Sequence, residues 1–254
     1  MIQTTMNNNE QQSVLSKISD FFLPLCCCSR EKKQIANLNA SKQQQKDFDF
    51  ASQMENFSHE YVERRTNLIY MRSNEGSIPK IMKKLSVFDS KTSNRCHMGV
   101  SALHNFSIMA IRRSDFGLLF DKEPCVRAFL REMVAIIKIS ETRFNFIKNV
   151  KTFFKTRLIP GSTMYNIENI KVKIDQSADV SPEGQICAEL VREYSWLYTD
   201  ERYNYIKMLI DNNRIAIITL DITSGYTLQY IKNKVKNIGI KLAAIPANLY
   251  KALF

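Results

Sequence analysis

The chain has 254 residues and a formal net charge of +11, and its hydrophobic residues, 44% of the total, suffice for one large folded domain with a tail. No stretch reaches the roughly 18 consecutive apolar residues of a membrane-spanning helix, and the N-terminus lacks the pattern of a secretory signal peptide. The six cysteines show neither a C-x-x-C pair nor a zinc-ligand spacing with histidine. Neither a disulfide framework nor a zinc site is indicated, and the pattern predicts a reducing compartment.

Residues 1–46 are predicted to form a disordered tail with one amphipathic segment. Asn, Gln and Thr dominate as far as Ser13, and apolar residues at helical spacing then lead into Cys26, Cys27 and Cys28. Basic residues follow the cysteines at Arg30, Lys32 and Lys33. The segment therefore predicts S-acylation, because two acyl chains, or one chain with a basic patch, anchor a protein stably to a membrane. The alternative is an exposed thiol cluster without modification.

Residues 47–95 are predicted to form a helical N-terminal extension. The apolar residues there fall at approximately helical spacing, and Pro79 offers a start for a second helix. The residues at this spacing are Met54, Phe57, Tyr61, Leu68 and Ile69.

From residue 96 to residue 254 the pattern is that of an α/β domain. Strands are predicted at residues 96–100, 116–121, 214–221 and 240–245, with helices between them at 102–111, from Pro124 onward, 144–154, 203–210 and 227–236. Residues 162–184 read as an irregular insertion with an edge strand at 169–174. Strands that alternate with helices in this way predict right-handed crossovers and a Rossmann-like, mainly parallel sheet with flanking helices.

Several motifs in this domain resemble those of a bacterial family of class I methyltransferase-like proteins. The stretch from Gly99 to Phe106 is similar to the family's G-V-G-x-x-x-N-F turn after the first strand, and Phe116–Asp121 is similar to its second, acid-ending strand. Later segments resemble its W-L-S-x-E helix entry, its N-R-I strand ending in Asp and its Y-x-S-N ending. In this sequence they begin at Trp196, Asn213 and Pro246.

The resemblance implies a site for S-adenosylmethionine at the carboxyl ends of the strands. The loop after the first strand would hold the methionine part, and the acid that ends the second strand would accept hydrogen bonds from the ribose. The implied cofactor-binding residues are Gly99, Ser101, Asn105, Asp121 and Asp221. Ser101 departs from the family pattern, because it stands where the second glycine is expected and its β-carbon hinders the approach of a ligand to the backbone.

Other interpretations stay open for these residues. Asp121 can instead cap the helix that begins near Pro124, and Asp221 can cap a loop. His104 is a candidate base or ligand, or else a surface or packing residue. Cys96, Cys125 and Cys187 are predicted to be buried small side chains rather than nucleophiles. The basic stretch 138–157 predicts an amphipathic helix with a solvated basic face, in preference to a nucleic-acid surface.

A methyltransferase-like domain joined to a host-style acylation signal resembles effectors that intracellular bacteria inject into eukaryotic hosts. This resemblance implies a protein that is secreted into the host cell and held on the cytosolic face of a host membrane. A host protein is a further candidate partner, and nucleic acid is not expected to be one. The leading hypothesis is transfer of a methyl group to a host acceptor. The alternative is a catalytically inactive Rossmann scaffold that binds a host protein at a membrane, and Ser101 favours it.

Overall fold

The computed structural model describes residues 49–55, 66–71, 83, 94–100, 103–175, 180–220, 225–237 and 239–242. All of them belong to the unit that begins at Phe48. The predicted tail of residues 1–46, with Cys26, Cys27 and Cys28, lies outside the described residues. Within the described part of the chain, no helix has the length and apolar character that crossing a membrane requires.

The strands are β1 (Leu68–Ile69), β2 (Arg95–Val100), β3 (Phe116–Asp121), β4 (Met164–Ile167), β5 (Ile170–Ile174), β6 (Ile215–Thr219) and β7 (Lys241–Leu242). The helices are α1 (Phe50–Glu55), α2 (His104–Arg112), α3 (Pro124–Ile139), α4 (Arg143–Arg157), α5 (Pro182–Ala188), α6 (Asp200–Asp211) and α7 (Gly225–Asn237), and a short 3₁₀ helix spans Glu189–Val191.

The larger sheet among the described residues has the strand order β6-β3-β2-β7, and all its pairings are parallel. Strands β3 and β6 read as almost continuous apolar runs because both of their faces are covered, as is usual for parallel sheets. The α/β class predicted from the sequence is therefore confirmed, as are the strands predicted at 96–100 and 116–121. The strand predicted at 214–221 is observed over Ile215–Thr219.

Helices cover the larger sheet on both faces. On one face, Leu119, Ile215 and Ile217 pack in a core shared with α2, α3 and α6. On the other face, Phe116, Leu118 and Ile218 pack in a second core to which α1 and α7 contribute. The alternation of side chains along each strand sends neighbouring residues into different cores, which gives three layers of helix, sheet and helix.

The segment predicted to be an irregular insertion contributes two of the three strands of a smaller sheet. Strands β4 and β5 make an antiparallel hairpin whose turn residues, Glu168 and Asn169, both have positive φ, as a two-residue type I′ turn requires. Strand β1 pairs in parallel with β5 on its other side. Two predictions are corrected: β5 is the central strand of this sheet rather than an edge, and Leu68 and Ile69 form a strand rather than part of a helix.

Trp196 fixes the packing of three helices against one another. Its ring contacts Phe106 of α2 and Phe146 of α4, each with centroids 5.2 Å apart, and it stacks on Tyr203 of α6 at 5.8 Å. The Tyr203 hydroxyl donates a hydrogen bond to the carbonyl oxygen of Ser140, 2.9 Å away, at the end of α3. The segment between α5 and α6 is thus held in the core of the domain.

Candidate functional site

The carboxyl ends of β2, β3 and β6 meet at one edge of the larger sheet. Val100 stands opposite Phe120, and Asp121 stands opposite Thr219. The pairing continues one residue further, because the amide of Leu220 donates to the carbonyl oxygen of Asp121 at 2.8 Å. The chain runs outward from β2 to β3 and β6 and then returns to β7 on the opposite side of β2, so the strand order reverses next to β2.

The edge at the end of β2 is built around Gly99. A β-carbon at this position would lie 2.0 Å from Oδ1 of Asn105 and 2.8 Å from Nε2 of His97, so any other residue would collide with both side chains. The Asn105 amide nitrogen donates to the carbonyl oxygen of Val100 at 3.0 Å. Glycine is required here because the Asn105 side chain occupies the space above it.

His97 lies under this glycine and is fully buried. Its Nε2 is 2.9 Å from Oδ1 of Asn105, which can only accept, so Nε2 carries the proton. The other ring nitrogen, Nδ1, is buried without a hydrogen-bond partner. Burial is the main reason that the pKa of His97 falls to about 4, and the imidazole is therefore neutral at pH 7.

His104 begins α2 at the same end of the helix as Asn105. Its Nδ1 is also buried without a partner, and burial lowers its pKa to about 4. A general base works best when its pKa lies near the operating pH. His104 is consequently a poor base at neutral pH, which weakens the catalytic interpretation of this residue.

Asp121 ends β3 and is partly exposed. Its Oδ1 accepts a hydrogen bond from the amide of Glu123 at 3.0 Å, a contact across two residues that shapes the loop into α3. The N-cap of α3 is Glu123, whose own side chain makes no capping hydrogen bond. The Asp121 carboxylate therefore bonds the amide of the N-cap residue rather than an amide of the first helical turn. Burial is the main factor that raises the pKa of Asp121, and the charge of Glu123 adds to it.

Glu123 brings a second carboxylate to the loop after β3. It is 5% exposed, and its Oε2 accepts a hydrogen bond from the amide of Thr66 at 3.2 Å. This bond joins the loop to the residues that lead into β1. Burial raises the pKa of the nearby Cys125 thiol to about 12, and the charges of Glu123 and Asp121 contribute to this rise. The Cys125 side chain is therefore a neutral thiol.

The structure brings some of the predicted site residues together and leaves others outside its description. Gly99 and Asn105 are in contact at the end of β2, and Asp121 lies at the end of the adjacent strand. Ser101 and Asp221 lie outside the described residues. Cys96 is buried, and burial raises the pKa of its thiol. In the described part of the chain, no group of three His, Cys, Asp or Glu side chains is arranged to hold a metal ion.

His97 and Glu123 were not among the residues singled out from the sequence. The sequence does contain a signal for His97, which is a polar side chain at an inward position of an apolar strand. It lies two residues before Gly99 and therefore shares its face of the sheet. Glu123 carries no such signal. Its partner, Thr66, is 57 residues away, and sequence periodicity does not reveal that pairing.

Together these features define an α/β protein with a parallel sheet between helical layers and a polar strand-end edge. The chain belongs to the family described as "Domain of unknown function (DUF7790)", which matches residues 70–245. The matched range includes every strand of the larger sheet and both Asn105 and Asp121. No curated protein matches the chain significantly.

Proposed function

We propose that the larger sheet is of the Rossmann type and that its strand-end edge binds S-adenosylmethionine for transfer of a methyl group. The observation that carries this proposal is the strand order. Counted from β2 as the first strand, the order β6-β3-β2-β7 reads 3-2-1-4, which is the order of the Rossmann mononucleotide-binding fold. Ligands of such sheets bind beyond the carboxyl ends, where the order reverses.

The residues at this edge suit the ribose part of the ligand. Asp121 ends the strand next to β2, is partly exposed, and offers carboxylate oxygens as acceptors for two hydroxyl groups. Partial burial strengthens such hydrogen bonds, because water competes less for the charged oxygen. Asp221 follows two residues after β6 and is proposed as a further polar residue of the edge. Bound S-adenosylmethionine would supply an electrophilic methyl group for a nucleophile of the acceptor.

The alternative function is a catalytically inactive scaffold that binds a host protein. Two observations favour it. The Asn105 side chain fills the space above Gly99, so this glycine is not an open cradle for a ligand. Both histidines of the described residues have a pKa of about 4, and neither serves as a general base at neutral pH.

Isothermal titration calorimetry of the full chain with S-adenosylmethionine separates the two functions. We expect saturable heat for the natural chain. We also expect roughly 10- to 100-fold weaker binding for Asp121→Asn, since hydrogen bonds to a charged group contribute about 1.5–3 kcal/mol. Asp211→Asn, at the exposed end of α6, is the matched control and leaves binding unchanged. A folded chain that gives no heat at millimolar ligand rules out the methyltransferase and favours the scaffold.

The membrane attachment is proposed from the sequence of the N-terminal tail. Acyl chains on Cys26, Cys27 and Cys28 would hold the protein on the cytosolic face of a host membrane. A fluorescent fusion in which all three are serine is expected to move from membranes to cytosol in a eukaryotic cell, whereas Cys187→Ser is expected to stay in place. Unchanged membrane localisation of the triple variant would remove acylation from the proposal.

A further inference from the structure

Helix α4 carries a row of three lysines on its exposed face. Lys148, Lys151 and Lys155 are all exposed, and their spacing of three and four residues places them along one side of the helix. They span about 10 Å of the helix axis. Phe144 continues the same row at the N-terminal end and is 59% exposed. We call these four residues the α4 stripe.

The positive charge of the α4 stripe is not neutralised within the described part of the protein. Helix α4 contains no acidic residue. Its terminal arginines are paired, Arg143 with Asp200 at 3.0 Å and Arg157 with Glu132 at 3.3 Å. No carboxylate of the described residues lies within ion-pair distance of the three lysines, so the stripe presents their charge to solvent.

Apolar side chains are exposed around the turn that precedes α4. Ile139 is 74% exposed at the end of α3, and Phe144 follows on the other side of the turn. The guanidinium of Arg143 lies over the Phe144 ring, 4.7 Å from its centroid. Glu141 is the one acidic residue of this turn. One end of the basic stripe thus presents two large apolar side chains to solvent.

We propose that the α4 stripe is a docking surface for an anionic lipid bilayer. A bilayer matches both parts of the surface, because its charged headgroups attract lysines and its acyl boundary accepts Phe144 and Ile139. Single-stranded nucleic acid fits less well, since its binding sites place exposed aromatic rings among the basic residues. Here Phe146, Phe153 and Phe154 are buried, and no aromatic ring is exposed between the lysines.

Co-sedimentation of the full, unacylated chain with lipid vesicles tests this surface independently of S-acylation and of cofactor binding. We expect binding to vesicles with 30% phosphatidylserine, no binding to pure phosphatidylcholine, and weaker binding as salt increases. The double variant Lys151→Gln with Lys155→Gln is expected to bind roughly 10- to 30-fold more weakly, at about fivefold for each lysine. Phe144→Ser is expected to weaken binding without changing its dependence on salt.

Helix α7 provides a matched control, because Lys232 and Lys236 are exposed and also four residues apart. Changing both to glutamine removes the same net charge and is expected to alter vesicle binding less than threefold. The proposal is overturned if the two double variants lose vesicle binding equally, or if the α4 variant binds vesicles as well as the natural chain. It is also overturned if the natural chain does not bind anionic vesicles. Tighter binding of single-stranded RNA through the same lysines would assign the surface to nucleic acid instead.

Discussion

Replacing Gly99 with alanine places a methyl group where the Asn105 amide stands. The new β-carbon would lie 2.0 Å from Oδ1 of Asn105, so the substitution is expected to lower the free energy of unfolding by about 1–3 kcal/mol. Adding Asn105→Ala removes the closer of the two collisions and leaves the 2.8 Å approach to Nε2 of His97. The double variant is therefore expected to lose less stability than the sum of the two single variants, by at least about 0.5 kcal/mol in urea unfolding. Additive losses would show that Asn105 does not fill this space.

The two imidazoles with lowered pKa values make stability depend on pH. The pKa of His97 is about 4 in the folded chain, against about 6.5 when unfolded, so the unfolded state binds more protons between these values. The contribution of such a histidine to the free energy of unfolding is complete above pH 6.5. It falls toward pH 4 by at most about 1.4 kcal/mol per pH unit. His97→Gln is expected to flatten this dependence between pH 6.5 and 5 in urea titrations. An unchanged slope would contradict the burial of His97.

Among the elements, helix α6 depends on the residue that caps it. The Thr199 side chain accepts a hydrogen bond from the amide of Arg202 at 3.3 Å, and this amide has no partner inside the helix. Thr199→Ala is expected to lower the free energy of unfolding by about 1 kcal/mol, and Thr199→Ser to remain close to the natural chain. Unfolding can be followed by the fluorescence of the buried Trp196, which changes when the core is exposed to water. Equal losses for both variants would exclude a role for the hydroxyl.

Elements with a strong local pattern were predictable from the sequence, and elements formed by distant pairing were not. Strands β3 and β6 are apolar throughout, which marks them before any partner is known. Strand β1 has only two residues and is defined by its pairing with β5, about 100 residues later. The alternation in Ile170–Ile174 and the Glu168–Asn169 turn did contain the hairpin signal, but the position of β5 within the sheet depends on β1.

For the whole molecule, strand β3 is expected to be the most protected part of the backbone. It is paired on both sides, with β2 and β6, and its residues 116–120 are buried. In hydrogen–deuterium exchange, peptides that include residues 118–120 should exchange only through global unfolding. Peptides from the β4–β5 hairpin should exchange earlier, because each of these strands alternates buried and more accessible residues. Slower exchange in the hairpin than in β3 would contradict this order of stability.

The candidate site was predictable in its position and not in its internal contacts. The sequence placed Gly99 and Asp121 at the ends of two consecutive predicted strands, and parallel pairing brings the ends of such strands to one edge. The contact between Gly99 and Asn105, with His97 beneath them, depends on how closely α2 approaches the sheet. That distance is set by packing against several elements at once, including Met109 above Gly117, and no local pattern encodes it.

Strand β2 is the first strand of the larger sheet in chain order, yet its partner β7 is the last strand among the described residues. Pairing with β7 joins Arg95 to Lys241 and Cys96 to Leu242. During synthesis, the outer hydrogen-bonding groups of β2 stay unpaired until these residues leave the ribosome, and an uncovered strand edge is a template for another chain. A chain truncated after residue 237 would keep β2 as a permanent edge, and such fragments would aggregate while the full-length protein stays dispersed.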